Sequence, residues 1–219
     1  MRFGALGDIH GDAASVHRIM RRHADVPFWL CVGDVADGDG RYEPVEAPLY
    51  WIKGNNENFD AIDSGDLPAN LRFLPNAVAL EIGRLRVAGL GGTLAPTWYH
   101  TPAAALPHPR KGSAKATAVA DKRRHFVEEE VVACTRLRDV DVFLTHEAPR
   151  PFRVGRVEAG KAVVNGVLSA MRPRLHLFGH HHRFTEQERD GVRSIGLDLV
   201  SRSYLLIDSD TWRYDLKTS

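Results

Sequence analysis

Seven residues of types that hold metal ions stand at the ends of apolar runs or one to three residues beyond. They are Asp8 and His10 in GDIHG, Asp34 in GDVAD, Asn55 in GNNE, His146 in LTHEAP, and His180 and His182 in FGHHH. Carboxylate and amide oxygens with imidazole nitrogens suit Mn, Fe, Zn or Co, and no thiolate joins them. Seven such groups exceed what one ion takes from a protein, whereas two ions sharing a bridging carboxylate fit the count. A lone Gly-Asp is a turn and a lone surface histidine is ordinary. The repetition of ligand types at successive strand ends carries the reading. No convincing Ser-His-Asp or Cys-His arrangement offers a protein nucleophile, so the chemistry points to activated water.

The elements that must position these residues are short. RFGALG (2–7), PFWLCVG (27–33), LYWIKG (49–54) and LRVAGLGG (85–92) read as buried strands ending in sharp turns, and VDVFLTH (140–146) and RLHLFGH (174–180) as strands ending on histidine. In open α/β sheets, ligands bind at the carboxyl ends of strands. Val16, Ile19, Met20 and His23 fall at helical spacing after a possible cap at Asp12, which predicts a helix. Residues 117–138 and 161–172 also read as helical. From Arg183 onward, short alternating strands take over. The order predicts packed sheets with outer helices in one domain spanning 1–219. Residues 101–125 stand apart as an insertion, with three prolines, many alanines and the basic residues Arg110, Lys111, Lys115, Lys122, Arg123 and Arg124. Their composition predicts a mobile flap over 101–116.

Composition narrows the class. The chain has 219 residues, a formal net charge of +1 and 43% hydrophobic residues, the profile of a globular protein with no global pull toward nucleic acid or membrane. No apolar run approaches the ~20 residues of a spanning helix. The N-terminus turns polar within seven residues, unlike a secretory signal. Cys31 and Cys134 lie in separate apolar segments and read as reduced, buried thiols. The expected location is the cytoplasm.

In order and spacing, these motifs resemble the calcineurin-like metallophosphoesterase family, whose signature runs GDxHG, GDxxD, GNH(E/D), a histidine after a strand, and GHxH. The resemblance covers residues 8 to 182. It implies an α/β four-layer sandwich, two mixed sheets face to face with helices outside. It also implies hydrolysis of phosphate esters at two divalent metal ions, manganese first, with iron, zinc, cobalt or nickel as alternatives. By motif position, Asp8, His10, Asp34 and His182 would hold one metal. Asp34 would bridge to a second, completed by Asn55, His146 and His180. A bridging hydroxide would then attack phosphorus in line with the leaving group.

The third motif departs from the pattern: Asn56 stands where the family places a histidine that faces the leaving oxygen. An amide donates a hydrogen bond but cannot act as a general acid. A phosphodiester, with less charge than a monoester dianion, depends less on an imidazolium, and small relatives lacking this histidine resemble phosphodiesterases. Asp34, Asn56 and His100 are therefore the candidate catalytic residues, with His100 and Tyr99 able to lean over the metals. Glu147 reads as a group orienting a ligand or an exposed turn carboxylate, Glu57 as a helix cap, Asp37 as loop support, and His181 as pointing away. The expected partner is a small phosphoester or nucleotide, with nucleic acid possible through the basic segment 110–124. A non-catalytic scaffold is the alternative from another class; the filled ligand set argues against it.

Overall fold

The computed structural model describes residues 1–109 and 120–219. In chain order its strands are β1 (Arg2–Leu6), β2 (Trp29–Cys31), β3 (Leu49–Trp51), β4 (Leu71–Phe73), β5 (Leu80–Ile82), β6 (Leu85–Leu90), β7 (Thr93–Leu94) and β8 (His125–Phe126). There follow β9 (Val142–Thr145), β10 (Arg153–Val154), β11 (Val157–Glu158), β12 (Leu175–Phe178), β13 (Thr185–Arg189), β14 (Val192–Gly196), β15 (Ser203–Asp208) and β16 (Tyr214–Thr218). The helices are α1 (Ala13–Arg22), α2 (Phe59–Ser64), α3 (Glu128–Thr135) and α4 (Ala162–Met171).

Two six-stranded sheets form the centre, ordered β16-β15-β1-β2-β3-β4 and β13-β14-β12-β9-β6-β5. Strands β1 to β4 run parallel in the first sheet, and β6, β9, β12 and β14 in the second. Antiparallel partners finish the edges, β15 and β16 on the first sheet, β5 and β13 on the second. Parallel strands covered on both faces need near-continuous apolar sequence, which is what WLC, LYW and VFLT supply. The core between the sheets packs Phe3, Ala5, Leu30, Val32 and Ile52 against Val87, Leu144, Leu177 and Ile195. Val16, Ile19 and Met20 of α1 cover the outer face of the first sheet over Trp29 and Trp51. Val131, Val164, Val167 and Leu168 of α3 and α4 cover the second over Phe143. The sandwich is thus helix, sheet, sheet, helix, as the resemblance implies. No helix among the described residues is long and apolar enough to cross a membrane.

The cap of α1 is as expected: the Asp12 side chain accepts from the Ser15 amide. The long helix over 117–138 is not. Residues 117–119 lie outside the described residues, Lys122–Arg124 form a 3-10 turn, His125–Phe126 form β8, and only Glu128–Thr135 are α-helical. Competing polar contacts explain the difference. Asp121 caps the 3-10 turn at Arg123, and Lys53 Nζ holds the carbonyls of Arg123 and His125 at 2.8 and 3.0 Å. Those carbonyls are therefore not available to a helix. At the start of α3, Glu128, Glu129 and Glu130 meet the positive end of the helix dipole.

The flap expected over 101–116 falls partly on residues 110–119, which lie outside the described residues, as do Arg110, Lys111 and Lys115 of the basic segment. In the described part, Ala103–Ala105 make a 3-10 turn, Leu106 is buried, and the Lys122 amide donates to the Pro107 carbonyl at 2.7 Å. The two ends of the segment are thereby drawn together.

Candidate metal centre

All five motifs meet at one edge, on the loops that leave the carboxyl ends of β1, β2, β3, β9 and β12. The turns are tight because the ligands crowd the backbone. A Cβ on Gly54 would collide with Asp34 Oδ1, and one on Gly179 with Asp8 Oδ1. Four of the ligand-type residues themselves adopt left-handed backbone: His10, Asp34, His180 and His182 have φ of 48°, 51°, 70° and 47°. Non-glycine residues rarely do so, and such conformations gather where function requires a side chain to be aimed.

The polar atoms fall into two neighbouring groups. Asp8, His10 and His182 present ligand atoms within 4.8 Å of one another, and so do Asp8, Asp34 and His146. Asn55 joins the second group, its Oδ1 lying 3.0 Å from His146 Nε2. Asp34 stands between them, 3.6 Å from His10 and 3.7 Å from His146. His180 gives its backbone amide to the Asp8 carboxylate, 3.0 Å at the nearer oxygen, and its ring lies 4.9 Å from that of His146. Its ring nitrogens also group with Glu147 and His181.

The donor set fits divalent cations. His146 Nδ1 lies 2.8 Å from the Val32 carbonyl, which assigns it the ring proton and leaves Nε2 as a lone pair. That lone pair faces Asn55 Oδ1, itself an acceptor. His10 Nε2 and His182 Nε2 likewise face each other at 3.1 Å, with Asp8 Oδ2 3.0 Å from the latter. Converging lone pairs need a proton or a cation between them, and a divalent ion with oxygen and nitrogen ligands supplies one.

The titration behaviour reports the same demand for positive charge. Burial opposes a charged His146, yet the Asp34 and Asp8 carboxylates outweigh it and raise its pKa. The hydrogen bond to Asp8 raises His182. Burial, reinforced by the neighbouring His146, lowers His180 to about 3. Burial would raise Asp34, but His146 and the hydrogen bonds from Asn56 hold it below its ordinary value.

Asn56 is exposed, and its contacts are with the bridging candidate. Its backbone amide donates to Asp34 Oδ1 at 2.8 Å and its side-chain amide to Asp34 Oδ2 at 3.0 Å. His100 is also exposed and pairs with Glu128 at 2.8 Å at the start of α3. Neither it nor Tyr99 lines the cleft that His10 and Asn56 share, and Tyr99 packs instead against the α3–α4 core.

Of the remaining residues, Glu57 and Glu147 depart from expectation, while Asp37 supports its loop as expected. Glu57 does not cap α2; Asn58 does. Glu57 is buried and accepts from the amides of Val35, Ala36 and Gly54 and from the Tyr42 hydroxyl, so it clasps the GDVAD and GNNE loops together. Burial pushes its pKa up to about 8. Its position two residues after Asn55, inside a sharp turn, is the signal that sequence offers. Glu147 is buried, accepts from the Leu94 amide and lies 3.6 Å from Lys161 Nζ. Asp37 supports its own loop through the Asp39 and Arg41 amides. The His181 ring stacks on Phe152.

A cleft of about 570 Å³ opens beside these residues and is lined in part by His10 and Asn56. Its walls carry Asp37, Asp39, Asp60 and Asp121, and Arg123. That arginine is occupied by Asp60, Asp63 and Asp121 at 2.7, 2.6 and 2.5 Å.

Known proteins share this family and fold. A sequence model of the calcineurin-like phosphoesterase family matches residues 1–184. Protein TT1561 of Thermus thermophilus shares the fold, with a TM-score of 0.67 at 14% identity, covering 99% of this chain and 98% of that one. A novel archaeal phosphodiesterase aligns over 100% of both chains with a TM-score of 0.52 at 12% identity. A putative 5'-nucleotidase from Staphylococcus aureus aligns with a TM-score of 0.52 at 11% identity, over 99% of this chain and 52% of that one. No curated protein sequence matches the chain. The chain belongs to the calcineurin-like phosphoesterase family.

Proposed function

We propose that this calcineurin-like phosphoesterase is a dinuclear, metal-dependent phosphodiesterase acting on small phosphodiesters. Asp8, His10, Asp34 and His182 would hold one ion, and Asp34, Asn55, His146 and His180 the other, with manganese the first choice. When bound, such ions polarise phosphoryl oxygens and acidify water. What the chain itself adds is orientation. Asn56 locks both oxygens of Asp34, Val32 sets the His146 tautomer, and Glu57 holds the two acidic loops in register.

One observation carries the preference for diesters: the acid position of the third motif holds an amide, and that amide is committed to Asp34. It has no proton to give a leaving group. A monoester dianion with a poor leaving group is the substrate most penalised by this. The neighbouring cleft has room for the second ester arm, and its carboxylate walls favour a neutral or cationic arm over further phosphates. Within the basic segment, Arg123 is already neutralised by Asp60, Asp63 and Asp121 and is not free to hold a phosphate backbone. Both cysteines are buried and unpaired, in keeping with the cytoplasm.

The test is the purified protein with Mn²⁺ against bis-p-nitrophenyl phosphate, p-nitrophenyl phosphate and 2′,3′-cyclic nucleotides. Diester turnover should exceed monoester turnover. A faster monoesterase reaction overturns the diester preference, and no turnover of any of these esters overturns the enzymatic reading.

A further inference from the structure

Cations near the ligand edge are mostly committed to protein partners. Lys53 Nζ is held by two carbonyls, Arg123 by three aspartates, and Lys161 Nζ lies 3.6 Å from Glu147. Arg124 is different. Its Nε is buried without a hydrogen-bond partner, and its guanidinium joins no ion pair among the described residues. Partly buried guanidinium groups seldom go unpartnered, because desolvation without a compensating acceptor is costly.

The backbone around Arg124 is fixed on the ligand side of the fold. Lys53, which holds the carbonyls on either side of it, lies two residues before Asn55. The Arg124 carbonyl packs against Gly92, just past the carboxyl end of β6, and the next two residues pair as β8 with β7. Arg124 therefore stands at the same edge as the ligands, between the loops that follow β3 and β6. Burial lowers its pKa, and the carboxylate of Asp34 is the charge that pulls it back up.

We propose that Arg124 is a substrate-binding residue that donates to the non-bridging phosphoryl oxygens of the ester. A guanidinium offers paired donors in a fixed fork that matches a phosphate edge, and it keeps its charge at any working pH. It supplies charge where Asn56 supplies none. It cannot supply a proton, so it leaves the dependence on leaving group intact. A monoester dianion, carrying more charge on those oxygens, loses more than a diester when Arg124 is removed. The inference rests on the reading of this edge as a phosphoester centre.

The experiment titrates inorganic phosphate calorimetrically into the Mn²⁺-loaded full chain, as wild type, Arg124→Ala and Arg124→Lys, with metal content measured on the same samples. Hydrogen bonds to charged groups are worth enough that Arg124→Ala should weaken phosphate binding by roughly 10-fold or more. Arg124→Lys should fall between the two, and metal content should not change. Free guanidinium should restore part of the binding to Arg124→Ala, which a structural role would not allow. Phosphate affinity within about twofold of wild type in Arg124→Ala overturns the assignment. If Arg124→Ala misfolds or loses metal, Arg124→Met, which keeps the apolar stem, is judged by the same criterion. A wild type that hydrolyses diesters with an indifferent Arg124 sinks only this inference. A wild type that neither binds phosphate nor hydrolyses any ester sinks the phosphoester reading itself.

Discussion

His146 and His176 are fully buried histidines of one sheet, the first just beyond the end of β9 and the second inside its neighbour β12. Both rings are hydrogen-bonded. Yet burial alone governs His176 and lowers its pKa to about 3, whereas the carboxylates facing His146 raise its pKa against the same burial. His176 spans Thr145 and Ser194 at 2.8 and 2.9 Å, two hydroxyls that serve a neutral ring. His146 points its lone pair at Asn55 and Asp34. The strand interior uses histidine as a neutral brace, and the strand end aims it at carboxylate and amide oxygens, as the proposed ligand role requires. Backbone conformation follows the same division, with left-handed residues at His10, Asp34, His180 and His182 and extended strand at His176.

The largest effect that could break this comparison is at the strand ends. Asp34→Asn removes the carboxylate that faces both groups of ligands. Activity should fall by more than about 100-fold, beyond what losing a supporting hydrogen bond costs a metal site. Bound metal should drop with it, more than for any single histidine change; retention of two ions per chain would show that Asp34 is not the bridge. Next is Asn56→His, which restores a proton donor and removes the side-chain bond to Asp34. The monoester-to-diester ratio should rise about 10-fold or more for alkyl esters, toward the range of a positioned general acid, and least for p-nitrophenyl esters. An unchanged ratio across leaving groups would show that Asn56 does not set the preference.

His176→Leu sharpens the comparison from the other side. It takes the ring from the Ser194 hydroxyl and one of two partners from the Thr145 hydroxyl, which keeps the Glu147 carbonyl, and should cost about 1–3 kcal/mol in denaturant unfolding, with metal content and activity per folded molecule unchanged. Loss of metal there would erase the distinction between brace and ligand. The last effect is on pH dependence. The folded pKa of His176, about 3, lies below the ordinary 6.5, so the unfolded chain takes up the proton first as pH falls. The neutral ring's contribution is thus whole above about 6.5 and is lost between there and about 3, at a slope of up to about 1.4 kcal/mol per pH unit. Urea titrations across that window should show the slope in wild type and a shallower one in His176→Leu. Equal slopes would assign the acid sensitivity to other groups.

The strand ends were readable in sequence because each motif is a local unit. A short apolar run, in most cases a glycine that lets the chain turn, and a ligand-type residue all sit within a few positions, so the candidate ligands and the strands that carry them could be named together. The cap of α1 at Asp12 was legible for the same reason. The brace His176 carried no such signal, since nothing near it in RLHLFG reveals Thr145 or Ser194 on other strands. The shortened α3 was hidden likewise, because Lys53, some seventy residues away, takes the carbonyls a longer helix would have used.

By itself, then, the sequence determined the chemistry on offer: oxygen and nitrogen donors in a fixed order, no thiolate, and an amide in place of a proton donor at Asn56. Only the tertiary structure decided how those groups are used. Packing two sheets face to face set Asp34 between His10 and His146, turned Asn56 onto Asp34, buried Glu57 as a clasp between loops, and left Arg124 with no ion pair among the described residues. Those outcomes depend on distances between residues remote in the chain. Hydrogen bonds and charges act over a few ångströms of space, and only the folded chain brings such residues that close.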